Sequence, residues 1–175
     1  SGRAERQAIV HRMALPDGRA TASGDSQEGT TSSSPAPMDV PPPERYLIIC
    51  VDRFGPALAP LADWKQRKGY RTHVSTLSDI AGPQTHPADI RAFIQRIYEE
   101  TPPLSYVLLV GDSDDVPSDF FTSSVSHAPT DQPYACVDGD DYLPDLTIGR
   151  LTVSTEAQCQ AVVAKILAYD RAPEA

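Results

Sequence analysis

Tyr106–Asp112 reads YVLLVGD, and Thr130–Arg150 reads TDQPYACVDGDDYLPDLTIGR; together these two stretches decide how the chain is read. The first is an apolar strand that runs into Gly111-Asp112. A long acidic connection follows, and a second strand over Leu146–Leu151 carries Ile148-Gly149-Arg150. Uninterrupted apolar runs of this length, bounded by turn residues, fit strands covered on both faces of a parallel sheet.

Working outward, the same alternation recurs. Tyr46–Val51 is rich in Ile, Leu and Val and reads as another buried strand, broken by Phe54-Gly55-Pro56. Ala57–Lys68 reads as a helix with Leu58, Leu61 and Trp64 on one side and Gly69 as its C-terminal cap. Tyr70–Thr76 alternates and is β-branched, so a strand is expected. Pro87–Glu100 is the clearest helix, with proline at its first position and Asp89 in its first turn. Ile90, Phe93, Ile94, Ile97 and Tyr98 make its apolar stripe. A last helix is expected over Glu156–Asp170, capped by Thr155 with Gln158 completing a capping box, and with Cys159, Val162, Val163 and Ile166 buried.

Strands alternating with helices predict an α/β fold, a mostly parallel sheet with helices on both faces. Residues 44–175 are expected to form this domain. Residues 1–43 are expected to be a disordered tail or linker, since runs such as Thr30–Pro35 and Pro41-Pro42-Pro43 carry too little apolar surface to offset ordering entropy.

Composition narrows the partners. The formal net charge is −9 and no lysine or arginine cluster occurs, which disfavours nucleic acid. No apolar run is long enough to span a bilayer. The N-terminus shows no hydrophobic signal core. The three cysteines, Cys50, Cys136 and Cys159, form neither a disulfide framework nor a zinc motif. Cys50 and Cys159 read as small buried hydrophobes, and only Cys136 lies in a loop.

Ligand chemistry in such sheets gathers beyond the carboxyl ends of the strands. The Gly111–Asp145 connection is far longer than usual, so it should be functional, internally structured, or both. Asp138, Asp140 and Asp141, with Gly139 allowing a tight turn, are the expected ligands of a structural Ca²⁺ ion. The alternative is a solvated loop whose aspartates bond their own backbone. Asp52 and Asp112 at neighbouring strand ends could hold Mg²⁺ for phosphotransfer, although no lysine sits at a further strand end; capping of backbone amides is the favoured role for Asp112. Nucleotide-binding glycine motifs and a serine-hydrolase elbow are absent. Of the histidines (His11, His73, His86, His127), only His127 shares a loop with a cysteine, Cys136, and nothing around that pair suggests an activated thiol.

The order Gly111-Asp112, Thr130-Asp131-x-x-Tyr134, Asp145-Leu146-x-Ile148-Gly149-Arg150, then a helix ending Ile166-Leu167-Ala168-Tyr169-Asp170-Arg171, resembles the first half of the peptidase domain of gingipain-type cysteine peptidases. The resemblance runs from Tyr46 to Arg171. It implies a caspase-like α/β fold, proteolysis by a His–Cys dyad, export to the cell envelope or beyond, and, in several members, bound calcium. In that family the histidine follows a later strand in a Gly-His-Gly turn, and the nucleophile ends the strand after it. No residue here matches either motif, so no catalytic residue is assigned. The resulting expectation is an N-terminal subdomain of a cysteine endopeptidase, inactive alone. Its partners would be the remainder of the peptidase domain or a complementary chain, with protein substrates once complete. A non-catalytic α/β interaction module with calcium in its acidic loop is the alternative, and an unrelated metal-dependent α/β enzyme is a third reading.

Overall fold

A computed structural model describes residues 42–82, 84–100, 104–122, 127–139 and 141–172, with only the backbone of 121, 122 and 127. The expected disordered tail lies outside these residues except for Pro42 and Pro43. Six strands and four helices are described: β1 (Arg45–Cys50), α1 (Gly55–Arg67), β2 (Arg71–Thr76), α2 (Leu77–Ile80), α3 (Pro87–Tyr98), β3 (Leu104–Val110), β4 (Asp119–Thr122), β5 (His127–Thr130), β6 (Thr147–Leu151) and α4 (Glu156–Arg171). β2, β1, β3 and β6 form, in that order, a parallel sheet, and β4 and β5 pair as a separate antiparallel ribbon.

The apolar runs of β1 and β3 have the composition they do because both faces are covered. Leu47, Ile49, Val107 and Leu109 pack with Ile90, Ile94 and Ile97 of α3 on one side. Ile48, Cys50, Leu108 and Val110 pack on the other with Leu58 and Leu61 of α1 and with Cys159, Val163 and Leu167 of α4. The α/β reading and the placement of helices on both faces therefore hold. The stripe of α4 is shifted: Leu167 is buried where Ile166 was expected, and Val162 and Ile166 only flank the core.

The caps show where local signals act. At the end of α1, the Gly69 N–H bonds to the carbonyl of Gln66 and the Tyr70 N–H to that of Lys65, with Gly69 at φ +97°. This is a Schellman closure, which needs a residue free to take positive φ. His86 caps α3, and the Asp89 carboxylate accepts from the His86 N–H at 2.8 Å. Thr155 caps α4 by accepting the Gln158 N–H, but Gln158 Oε1 accepts from Ser154 N–H rather than from Thr155, so the expected box closes one residue early. At the far end of α4, Asp170 accepts the Trp64 indole N–H at 3.1 Å and a Lys68 ammonium hydrogen at 3.2 Å, while the Arg171 guanidinium lies over the Trp64 ring. These contacts fasten α4 to α1.

The two sheet edges are treated differently. The Arg71 N–H bonds to Glu44, so Thr72, Val74 and Thr76 direct their backbone groups outward from β2. Gln66 Nε2 donates to the Thr72 carbonyl, and the Thr76 N–H donates to Asp79, which blunts this edge. On β6, the Leu151 carbonyl accepts from Gly111, so Ile148 and Arg150 point their backbone groups away from β3. Among the described residues nothing bonds them.

Candidate functional site at the carboxyl edge of the sheet

All four parallel strands end on one edge, and the order β2-β1-β3-β6 places the change of winding direction between β1 and β3. The segments leaving those two strands, Val51–Phe54 and Gly111–Val116, therefore flank the crevice where α/β sheets place chemistry. Gly111 leaves β3 at φ +135°, and a β-carbon there would stand 2.9 Å from Asp115 Cβ and 3.2 Å from Val116 Cγ2. The next residue fixes the turn. Asp112 Oδ1 accepts the N–H groups of Asp114 and Asp115, each at 3.1 Å, and Oδ2 accepts the Ser154 hydroxyl at 2.8 Å. Asp112 is thus a backbone cap that also ties β3 to the β6–α4 connection.

The long connection is internally structured. Arg150, from β6, holds its first half: Nε donates to Asp131 Oδ2 at 2.7 Å and Nη2 to Asp131 Oδ1 at 2.8 Å. Nη1 reaches the carbonyls of Gly111 (3.0 Å), Asp112 (3.2 Å) and Val116 (2.9 Å), and Nη2 reaches Ser118 Oγ at 3.1 Å. The Ser118 hydroxyl in turn donates to Asp131 at 3.0 Å. Tyr134, fully buried, donates its hydroxyl to the Pro117 carbonyl at 2.6 Å, and burial, followed by the nearby Asp119 and Asp131, raises its pKa. The motif residues Asp131, Tyr134 and Arg150 are therefore one polar clamp, with the Arg150 and Asp131 side chains only 13% and 23% exposed. Spacing in the sequence shows none of these contacts. The one available signal was an arginine following an apolar strand, with aspartates in the preceding loop.

The second half closes on Asp145. Its Oδ2 accepts the N–H groups of Val137 (2.9 Å) and Asp138 (2.8 Å), while its own N–H donates to the Ala135 carbonyl. Asp141 accepts the Leu143 N–H at 3.0 Å. Of the expected calcium ligands, Asp138 and Asp141 are exposed and Asp140 lies outside the described residues. Among the described residues no group of three or more His, Cys, Asp or Glu side chains converges on a point that could hold a metal ion. Asp52 and Asp112 are engaged separately, Asp52 with the Ser78 hydroxyl and Asp112 with Ser154.

All three cysteines are free and buried. Burial raises each thiol pKa, and Cys50, with Cys159 as a smaller contributor, is pushed up to about 12. A thiolate nucleophile needs the opposite environment. The buried reading of Cys50 and Cys159 holds. Cys136, expected in a loop, does lie in the long connection but is buried there, with its carbonyl taken by Arg91 Nη2 at 2.8 Å. The His127 side chain lies outside what is described. Iodoacetamide at pH 8 should leave all three thiols unmodified in the native chain and label all three in denaturant; native labelling of Cys136 would contradict its burial.

Hydrogen bonds set the charge state of the turn. The Ser154 hydroxyl, then the Asp115 N–H, lower the Asp112 pKa, and the Thr76 N–H and hydroxyl lower that of Asp79. A depressed carboxylate pKa adds stability above the unfolded value of about 3.9, and that stability is lost as pH falls through the lower folded value. The stability difference between the wild type and Asp112→Asn should therefore be fully open at pH 6 and close below about pH 4. Urea unfolding across that range measures it, and a gap independent of pH would show that the carboxylate charge plays no part.

A doubly covered parallel sheet whose connections gather over its carboxyl edge defines an α/β domain of the kind that peptidases and many other enzymes use. The family is more specific. The chain belongs to peptidase family C25, whose model matches residues 39–175. It is 32% identical over 128 residues to gingipain R2 of Porphyromonas gingivalis, covering 73% of this chain and 17% of that protein. It is 31% identical over 134 residues to Lys-gingipain of the same species, covering 74% of this chain and 8% of that one. The crystal structure of the Arg-specific cysteine proteinase gingipain R superposes with a TM-score of 0.64 at 29% identity, over 73% of this chain and 28% of that chain. The matched part is the gingipain-type peptidase region, and the chain spans less than a fifth of the length of these two relatives.

Proposed function

We propose that residues 44–175 form the amino-terminal subdomain of a cysteine endopeptidase of protein substrates, inactive without the segment that brings the His–Cys dyad, and that residues 1–43 are a disordered tail or linker leading into it. The observation that carries this reading is the burial of all three thiols within a chain of the C25 family. A scaffold that keeps every cysteine neutral and covered supplies the sheet and the loops of the crevice, with the nucleophile coming from elsewhere. The unbonded outer edge of β6 is where the remainder of the peptidase domain would join, because Ile148 and Arg150 offer backbone donors and acceptors there. An extracellular or cell-envelope site follows from the same kinship. Calcium, held by Asp138, Asp140 and Asp141, would be a structural ion of the acidic turn.

The test is complementation. The chain alone should not cleave fluorogenic peptides or casein, and a longer product that joins it to a C25 segment carrying the His–Cys dyad should cleave them with a rate abolished by alkylation. Cleavage by residues 44–175 alone would overturn the proposal. A longer product that is also inactive would favour the interaction module instead. Calorimetric titration of Ca²⁺ reads the metal separately, and no heat together with no shift in Tm rejects it.

A further inference from the structure

The acidic turn presents an exposed apolar pair that neither the fold nor the peptidase reading uses. Tyr142 is 81% exposed and Leu143 is 67% exposed. Phe120 and Tyr169 are the other exposed large apolar side chains among the described residues, and only Tyr142 and Leu143 are adjacent in sequence. Single exposed apolar residues need no explanation, but this pair is held in place. Its backbone is bonded on both sides: Gln132 Nε2 donates to the Tyr142 carbonyl at 3.1 Å, and the Leu143 N–H donates to Asp141. Below the tip, Asp145 closes the loop through two N–H groups, and Tyr134, Ala135, Val137 and Leu146 anchor its root in the core. A braced backbone lowers the ordering cost of binding, and a tyrosine contributes large contact area with few torsions to immobilise.

Charge says what would cover the pair. Asp138 and Asp141 are exposed beside it, and neither carboxylate is paired with a cation among the described residues. The whole chain carries −9. Phosphate surfaces, whether lipid or nucleic acid, would be repelled. A second copy meeting this tip through its own would bring like charges together, which is costly at an interface. We propose that Tyr142 and Leu143 dock into an apolar pocket rimmed by lysine or arginine on a separate protein, with Asp138 and Asp141 pairing with that rim.

The probe is a short peptide of lysine and leucine, with a glutamate–leucine peptide of equal length as the control, each titrated into isotopically labelled chain and followed by amide shifts. The lysine–leucine peptide should shift the amides around 137–143, and the control should not. Y142A/L143A should weaken binding about tenfold or more. It should leave Tm unchanged, since the bonds of the tip are made by backbone atoms at both positions. D138N/D141N should weaken binding several-fold and remove its salt dependence. Unchanged affinity in Y142A/L143A, or shifts spread over the whole acidic surface, would overturn the proposal. So would equal binding of the glutamate–leucine peptide or of phosphatidylcholine vesicles. Sedimentation showing self-association lost in Y142A/L143A would assign the tip to a second copy. Protection of Tyr142 from hydroxyl-radical footprinting when the chain is joined to a dyad-carrying C25 segment would assign it to that segment. Either result would overturn a separate basic partner. None of these readouts depends on peptidase activity.

Discussion

Replacing Arg150 with methionine is expected to destabilise the protein by about 3 kcal/mol, the lower end of the range for breaking a buried ion pair. The guanidinium makes two bonds to Asp131, three to main-chain carbonyls and one to Ser118. Methionine fills a similar volume but donates nothing, so the Gly111, Asp112 and Val116 carbonyls and the Asp131 carboxylate all lose a partner at once. Two features keep the cost from the top of the range: Asp131 retains the Ser118 hydroxyl, and its side chain keeps some contact with water. Lysine should recover little, because a single ammonium cannot make a bidentate pair and reach three carbonyls together. The Lys68–Asp170 pair is a useful contrast, since its lysine side chain is 43% exposed and its removal should cost less than about 1 kcal/mol. Urea denaturation of Arg150→Met, Asp131→Asn and the double variant gives the coupling directly. A coupling near zero would mean that the clamp is a crystallike arrangement of charges without energetic weight. Hydrogen exchange should localise the loss to residues 111–118 and 130–137.

Gly111→Ala should cost about 2–4 kcal/mol, combining backbone strain at positive φ with overpacking. The two contributions can be separated with Gly69. Both glycines have positive φ, but a β-carbon at Gly69 meets nothing within 4 Å, whereas at Gly111 it meets Asp115 Cβ and Val116 Cγ2. Gly69→Ala should therefore show the conformational cost alone, about 1–2 kcal/mol. The excess at Gly111 reports the displacement of the turn that Asp112 caps. Equal losses at the two positions would show that the Asp115 backbone yields freely, and the turn would then not be the rigid floor of the crevice.

Much of the scaffold was legible because it rests on short-range rules. The apolar runs of β1 and β3, the proline and Asp89 at the start of α3, and Gly69 after α1 each act within a few residues, and the structure follows them. The resemblance to gingipains also rested on residues in the chain, and the family match over 39–175 bears it out. Less was legible in the acidic connection. Its hairpin β4–β5 joins two strands of four residues each, too short to give a period, and the partners of Arg150 lie 19 to 39 residues away. Cys136 was read as lying in a loop, which left its burial open. Its carbonyl is bonded by Arg91 of α3, 45 residues away, and sequence proximity carries no information about that contact. Nothing in the structure explains Gly149, where a β-carbon would make only an ordinary contact with Leu108.

By itself, the sequence determined the α/β class, the parallel sheet with helices on both faces, and the family, since hydrophobic period and cap residues are written locally. Only the tertiary structure decided what the signature residues do. Asp131, Tyr134 and Arg150 form a clamp, the Asp112 that caps its turn also takes the Ser154 hydroxyl, and the loop cysteine Cys136 is buried. The physical reason is that hydrogen-bond partnership and desolvation depend on what the fold brings from distant segments, and a residue's neighbours in the chain do not specify them.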